Sequence, residues 1–337
     1  MKKKVIVAMS GGVDSSVAAA LLKQKGYDVV AVFMKFWKES KSINRCCSLE
    51  SQTDARTIAK KLNIPFYIID VRKEFKKRVV DYFISEYEKG KTPNPCIECN
   101  KFIKFNVLIK KALELKADFI ATGHYAKIKN NSLYIAKDKS KDQSYFLWAL
   151  KDLNKILFPI GDYDKKEIRS LAKKFNLPVF EKKDSQEVCF INNSVEEFLN
   201  KRIKSKKGDI IFNKKVIGKH NGLHFYTIGQ RKGIGIGGIG PFYVASKDFK
   251  KNELIVIKSD SDDSLFKKEL KFSKSNWFVN VKFPLKCKAK IRYLSKSVDC
   301  VISKDKVIFL KKQKAVTSGQ SIAFYSNGRV LGGGIIK

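Results

Sequence analysis

Ser10-Gly11-Gly12-Val13-Asp14-Ser15-Ser16 is the stretch that decides how this chain folds. Just before it, Lys4-Val5-Ile6-Val7-Ala8-Met9 is short, apolar and β-branched, the composition of a buried parallel strand. Just after it, Val17-Ala18-Ala19-Ala20-Leu21-Leu22 is made of good helix formers. The order is therefore strand, glycine turn, helix. Two glycines let the turn tighten and let backbone amides approach a ligand closely. The first amides of the helix lack intrahelical partners, and that end of the helix dipole is positive. Together with the hydroxyls of Ser10, Ser15 and Ser16 they suit a phosphate or pyrophosphate. No Lys follows the glycines, so this is not a Walker loop. An ordinary Gly-rich turn with Asp14 as helix N-cap is the weaker account of the whole seven-residue stretch.

The pattern continues outward. Residues 28–34 read as a second buried strand, and its end, Met34, falls beside the loop at the ligand edge of a parallel sheet. Residues 35–48 are irregular. Residues 53–62 read as helix, 66–70 as strand, 73–88 as a long helix, 101–115 as another, and 118–122 as a strand ending at Gly123-His124. This alternation means an α/β fold with a parallel sheet. Residues 125–136 read as a hairpin turning at Asn130-Asn131, and a short helix starts in 141–146. Asp164 with Glu167 makes a capping box for a helix ending near Asn176. From Gly208 the chain changes to short strands (209–212, 225–228, 242–245) and glycine turns. Residues 260–270 read as a polar linker. Residues 277–337 read as strands throughout, with Asn327-Gly328 at a tight hairpin, which suggests a small barrel. The expected domains are residues 1–201, a small central domain over 202–265, and a C-terminal β-barrel over 266–337.

The loop resembles the pyrophosphate loop of ATP pyrophosphatases, the adenine nucleotide alpha hydrolase-like enzymes that form adenylated intermediates and release pyrophosphate. Thr92-Pro93-Asn94-Pro95-Cys96-Ile97-Glu98-Cys99-Asn100-Lys101 narrows the class. A bare Cys-x-x-Cys admits a redox pair, half a zinc site or chance. In this Pro-Asn-Pro and Asn-Lys context, followed by Lys182-Lys183-Asp184-Ser185 and Cys189-Phe190-Ile191, it resembles the catalytic loops of tRNA-specific 2-thiouridylases. Ala121-Thr122-Gly123-His124-Tyr125, Lys141-Asp142-Gln143-Ser144-Tyr145-Phe146, Gly229-Gln230-Arg231-Lys232-Gly233, Ile291-Arg292-Tyr293 and Leu331-Gly332-Gly333-Gly334 fit the same family in the same order.

The resemblance implies ATP-dependent 2-thiolation of the wobble uridine of tRNA. It implies Cys189 as the persulfide carrier and Cys99 as its partner nucleophile. It places ATP and Mg2+ at Ala8, Met9, Ser10, Gly11, Gly12, Val13, Asp14, Ser15, Met34 and Gly123. It assigns tRNA contacts to Asn94, Pro95, Cys96, His124, Lys141, Asp142, Gln143, Arg292, Tyr293 and Gln320. Sulfur would come from a cysteine desulfurase or a sulfur-relay protein. One position departs from the family: many members have Asp where this chain has Cys96, and a thiol cannot do a carboxylate's acid–base work in the same way. The change also makes Cys96, Cys99 and Cys189 a candidate ligand set for a 4Fe-4S cluster, an expectation set against two-cysteine persulfide chemistry.

The bulk numbers agree with a polyanion partner. Lys and Arg number 69 against 33 Asp and Glu, a net charge of +36 that predicts attraction to nucleic acid. The seven cysteines are odd in number and unevenly spaced in a chain that reads as cytosolic, which argues against a structural disulfide framework and for reactive or ligand cysteines. No apolar run approaches the ~20 residues that span a bilayer. Cys46-Cys47 are poorly spaced for tetrahedral zinc, and Cys287 and Cys300 lie in strand-like sequence as core or surface residues. Gly235-Ile236-Gly237-Gly238-Ile239-Gly240 matches a dinucleotide fingerprint, but Pro241 follows where a helix should open. A ligase or amidating synthetase for a small substrate would explain the glycine loop but neither the cysteine loops nor the charge.

Overall fold

A computed structural model describes residues 2–39, 48–182, 188–191, 193–237 and 241–337. Its first layer is a parallel sheet of β1 (Lys4–Ala8), β2 (Asp28–Lys35), β3 (Phe66–Asp70), β4 (Phe119–Thr122) and a two-residue strand Ile156–Leu157, in the order β3-β2-β1-β4 and then Ile156–Leu157. β1 lies in the middle, so it is covered on both faces. Its period-2 alternation sends Val5 and Val7 to one core and Ile6 to the other. All three are fully buried, and each contributes about 1.5–3 kcal/mol. A charge at Val7 would break the sheet at its centre.

Helices α1 (Val13–Gln24) and α2 (Leu49–Lys61), with Lys165–Lys174, cover one face through Val17, Leu21, Ile58 and Ile168. The other face carries two long helical stretches. The stretch expected over 73–88 is Arg72–Phe75, a π-turn at Lys76–Val80, and Asp81–Glu88. The one expected over 101–115 starts earlier: Pro95–Glu98 leads through a π-turn, Cys99–Lys104, into Phe105–Glu114. The prolines do not block this start. Pro95 sits in the first turn, where its missing N–H is no loss, and Asn94 caps the helix by accepting from the Cys96 amide at 3.1 Å.

The hairpin around Asn130-Asn131 is present as β5 (Ala126–Lys129) and β6 (Ser132–Ile135). With β7 (Ile156–Leu157) closing the first sheet, the central domain follows as β8 (Gly208–Phe212), β9 (Lys215–His220), β10 (Tyr243–Asp248) and β11 (Glu253–Ile257), ordered β10-β11-β8-β9. The strand expected over 225–228 is absent. Gly222 and Gly229, both at positive φ, bracket a single 3-10 turn, Leu223–Phe225, and turn Tyr226 into the core.

The polar linker expected over 260–270 is shorter than its composition suggested. β12 runs Phe266–Trp277, with Leu270 and Phe272 facing in while Lys267, Lys268, Glu269 and Lys271 face out. With β13 (Leu285–Lys290), β14 (Val298–Ser303), β15 (Lys306–Lys314), β16 (Ser321–Ser326) and β17 (Arg329–Ile336) it forms an antiparallel sheet that the β12–β17 pairing closes into a barrel. β6 adds to the outside of β17 at the register Arg329↔Tyr134. The first domain thus docks on the last strand. Asn276 reinforces the joint by donating to the carbonyls of Trp148 and Leu150 at 2.8 and 2.7 Å.

Candidate active site

The phosphate-type loop is built as its residues require. Gly11 has φ +71°, and a Cβ there would strike the Ser51 carbonyl of α2. Gly12 caps α1 with no side-chain bond, so the first amides of that helix keep no side-chain cap. The hydroxyl of Ser15 donates to the Gly12 carbonyl at 3.2 Å and accepts from the Ser10 amide at 3.2 Å, while Ser16 donates to the same carbonyl at 2.7 Å. Gly123, at the end of β4, lies so close that a Cβ would sit 2.6 Å from the Ser15 nitrogen. Ala8 and Met9 lead into the loop, Val13 and Met34 are buried behind it, and Met9 bonds across to the Val32 carbonyl. The loop and the β4 end therefore form one surface at the carboxyl edge of the sheet.

Asp14 is not the N-cap. It lies in the first turn of α1, and its Oδ1 accepts from the Tyr125 hydroxyl and from the Lys165 ammonium, each at 2.8 Å. Lys165 is largely buried, opens the helix after β7, and is set by the Asp164–Glu167 capping box. Neither partner was legible as such in the sequence. Tyr125 sat in a quoted motif and Lys165 beside a recognised cap, but their common target is 111 and 151 residues away. Gln143 holds Tyr125 in place through two backbone bonds, accepting from its amide at 2.9 Å and donating to its carbonyl at 2.8 Å.

Around the loop the expected RNA-side residues divide. Asp142 is buried, accepts from the amides of Ala136 and Ser144 and from the Ser144 hydroxyl, and faces Lys290 of the barrel at 3.4 Å. Lys141 stands beside it, half-buried. His124 stacks on Phe105 and meets Phe158 edge-on, and its Nδ1 lies 2.7 Å from the Thr122 hydroxyl. Loss of solvation, with Lys104 nearby, holds its pKa well below the ordinary value, so the ring is neutral. Arg292 is exposed at the barrel rim. Tyr293 packs its ring on Phe146 at 4.4 Å, and its pKa is raised by burial and then by Asp142 and Cys96.

The segment entering that helix is clamped from both downstream domains. The Thr92 amide donates to the Ser318 carbonyl at 2.9 Å, and Gln320 donates to the Thr92 carbonyl at 2.8 Å. Lys247 of the central domain donates to the carbonyls of Gly90 and Tyr226 at 2.7 and 2.8 Å. Beyond the clamp, Asn94 and Pro95 start the helix and Cys96 is exposed, while Cys99 is buried with Ile97 and Ile103 at the π-turn. π-turns inside helices recur at functional sites. Cys189 is half-buried and packs against the same apolar cluster that contains Cys99; Phe190, next to it, is seated on Phe75, Phe83 and Phe198.

The three cysteines named for a 4Fe-4S cluster differ in setting: Cys96 is exposed, Cys99 buried and Cys189 half-buried. Among the described residues no group of three His, Cys, Asp or Glu side chains has metal-holding geometry. Cys46 and Cys47, residues 183–187 and Gly238–Gly240 lie outside the described residues. Pro241, which follows the glycine fingerprint, leads into β10 and not into a helix. No described helix is long and apolar enough to cross a membrane.

Comparison with known proteins covers the whole chain. Residues 3–193 match the family described as "tRNA methyl transferase HUP domain", residues 196–258 the "tRNA methyl transferase PRC-barrel domain", and residues 267–336 the "Aminomethyltransferase beta-barrel domain". The chain is 46% identical to the tRNA-specific 2-thiouridylase MnmA of Clostridium kluyveri, over 100% of this chain and 99% of that protein. It is 47% identical to the protein of the same name from Buchnera aphidicola subsp. Schizaphis graminum, over 99% and 97%. It is 44% identical to that of Clostridioides difficile, over 100% and 99%.

Proposed function

Since the chain belongs to the family of tRNA-specific 2-thiouridylases and is a tRNA uridine sulfurtransferase, we propose that it replaces the C2 oxygen of the wobble uridine, U34, by sulfur through an adenylated base and a cysteine persulfide. The C2 oxygen is a poor leaving group. Transfer of AMP from ATP to that oxygen makes AMP the leaving group and releases pyrophosphate. Ser10 to Ser15 would hold the pyrophosphate, with Met34 and Gly123 beside the adenosine. The loop lacks a lysine of its own, and Lys165 is placed to supply the missing cation. Asp14 would be the carboxylate of the loop available to a Mg2+ ion, which would supply charge neutralisation for the phosphates.

The sulfur step falls to the two cysteines. A persulfide on Cys189 attacks C2, and the Cys99 thiolate then attacks the Cys189 side of the sulfur–sulfur bond. This frees the thiouridine sulfur and leaves a Cys99–Cys189 disulfide, which a thiol reductant reopens. Cys96 carries no acid–base role in this scheme. The persulfide would be loaded by a cysteine desulfurase or a relay protein. The +36 charge supports a tRNA partner, and Arg292, Tyr293, Lys141, Asn94 and Pro95 would meet it.

The observation that carries this reading is the 46% identity over the full length, across all three domains. Nucleoside mass spectrometry of tRNA incubated with the protein, ATP and a sulfur donor tests it. Cys99→Ala and Cys189→Ala should each abolish 2-thiouridine, while Cys96→Ala keeps most of it. A methylated nucleoside in place of a thiolated one would overturn the reaction. Thiolation surviving in either the Cys99 or the Cys189 variant would overturn the mechanism. ATP–pyrophosphate exchange that proceeds without tRNA would point instead to a small-substrate ligase.

A further inference from the structure

Cys287 on β13 and Cys300 on β14 stand directly opposite each other in the antiparallel register, and their sulfurs are 3.7 Å apart. We propose that this pair is a disulfide-forming site, closed by exchange with a small-molecule disulfide, that staples the hairpin carrying Arg292 and Tyr293. Three observations converge on it. The register is held from both sides, by the Lys288–Asp299 ion pair at 2.8 Å and by Leu285 paired with Ile302. Both side chains belong to the barrel core: Cys300 is buried within it and Cys287 packs against it partly buried. The hydrogen bond with Cys300, then burial, hold the Cys287 thiol well above the ordinary thiol range, so the thiolate that starts the exchange forms under alkaline conditions. The sulfurs are in van der Waals contact, longer than the ~2.05 Å of a disulfide bond. Directly opposed residues in antiparallel pairs have Cα atoms about 4.5–5.5 Å apart, inside the ~4.4–6.8 Å that disulfides span, so the backbone needs little change and rotation about Cα–Cβ brings the sulfurs from contact to bond.

The chemistry balances without any group from the thiolation site. The Cys287 thiolate attacks the disulfide RS–SR and expels one RS⁻; the Cys300 thiolate then attacks the mixed disulfide and expels the second. Two thiols are oxidised, RS–SR is reduced to two RSH, and the thiol protons pass to the released thiolates. The bond closes a loop of the chain that contains Arg292, Tyr293 and Leu294, and so fixes the turn between β13 and β14. The inference does not depend on the sulfur chemistry assigned to Cys99 and Cys189.

The test uses the full-length chain, equilibrated with glutathione disulfide, acid-quenched, alkylated and digested for mass spectrometry. The expected product is a cross-linked fragment containing Cys287 and Cys300 that lacks two hydrogens. It should persist in a Cys99→Ser/Cys189→Ser double variant and vanish in Cys287→Ser. The oxidised protein should melt at a higher temperature than the reduced protein, a shift that Cys287→Ser lacks. Alkylation of both cysteines after this treatment, or a glutathione adduct left on Cys287 without ring closure, would overturn the proposal. The mass measurement is made on the unsubstituted chain and does not require the variant to fold.

Discussion

Asp14 accepts two hydrogen bonds on a single oxygen, and that arrangement carries a clear expectation. A phosphate arriving in the loop meets a carboxylate, which repels it unless a cation stands beside the pair. Lys165→Met should therefore lower ATP–pyrophosphate exchange by roughly 10²–10³-fold, the loss typical of one fixed electrostatic donor. Lys165→Arg should restore part of it, and tRNA affinity should hardly change. An unchanged exchange rate in Lys165→Met would remove the lysine from the ATP site. Gly11 gives a second expectation. Its left-handed backbone costs a non-glycine residue about 1–2 kcal/mol, and the Ser51 carbonyl leaves a methyl no room. Gly11→Ala should lower the urea midpoint measurably, whereas Gly26→Ala, at a φ of +84° with nothing nearby, should lose only the backbone part. The loop itself was legible because its chemistry is contiguous. Lys165 was not, because a cation's partner across the fold leaves no mark on its own neighbourhood.

At the level of elements, the helix from Pro95 to Glu114 and its clamp carry the argument. Gly90, Pro93 and Pro95 argue for a loop in the sequence and put the helix start at Lys101, but a proline in the first turn costs a helix no hydrogen bond, and the helix starts at Pro95. The π-turn at Cys99 could not be read, because no local residue preference marks it. β12 was read too late for a plain reason: four charged outward positions hid the two apolar inward ones, Leu270 and Phe272. The clamp makes a prediction about pH. Burial pushes Lys247 down to about 8 from its ordinary 10.5. The folded chain therefore loses this proton near pH 8, while the unfolded chain keeps it to about 10.5. Between those values the unfolded state binds more protons, so stability rises with pH there, by up to about 3 kcal/mol from this group. Below pH 8 both states are protonated and the cost of the buried cation is constant. Comparing urea unfolding of wild type and Lys247→Met at pH 7.5 and pH 10, the difference should move in favour of the wild type at the higher pH. No movement would mean that solvent reaches the ammonium.

Across the whole molecule, the surplus of positive charge sets the expected behaviour with RNA. tRNA affinity should fall by about 0.7–0.9 log units per phosphate contact for each tenfold rise in salt. Filter binding across a salt series measures it, and a flat response would mean that the charge is generic. Domain order was legible from the shift between helical and strand patterns, but the joints were not, since they pair residues from opposite ends of the chain. Tyr145 donates to the Ser321 carbonyl, Thr92 to Ser318, Asn276 to Trp148, and β6 pairs with β17.

Those joints bear on how the protein is made. A ribosome delivers the first domain early, and domains tend to fold as they emerge. Here the hairpin β5–β6 leaves an open edge, and the Thr92 and Tyr145 groups lack their acceptors, until β16 and β17 are synthesised. β17 both seals the barrel and covers that edge. The nascent chain therefore holds its glycine loop before it holds the barrel, and the joint between the two waits for the synthesis of β16 and β17.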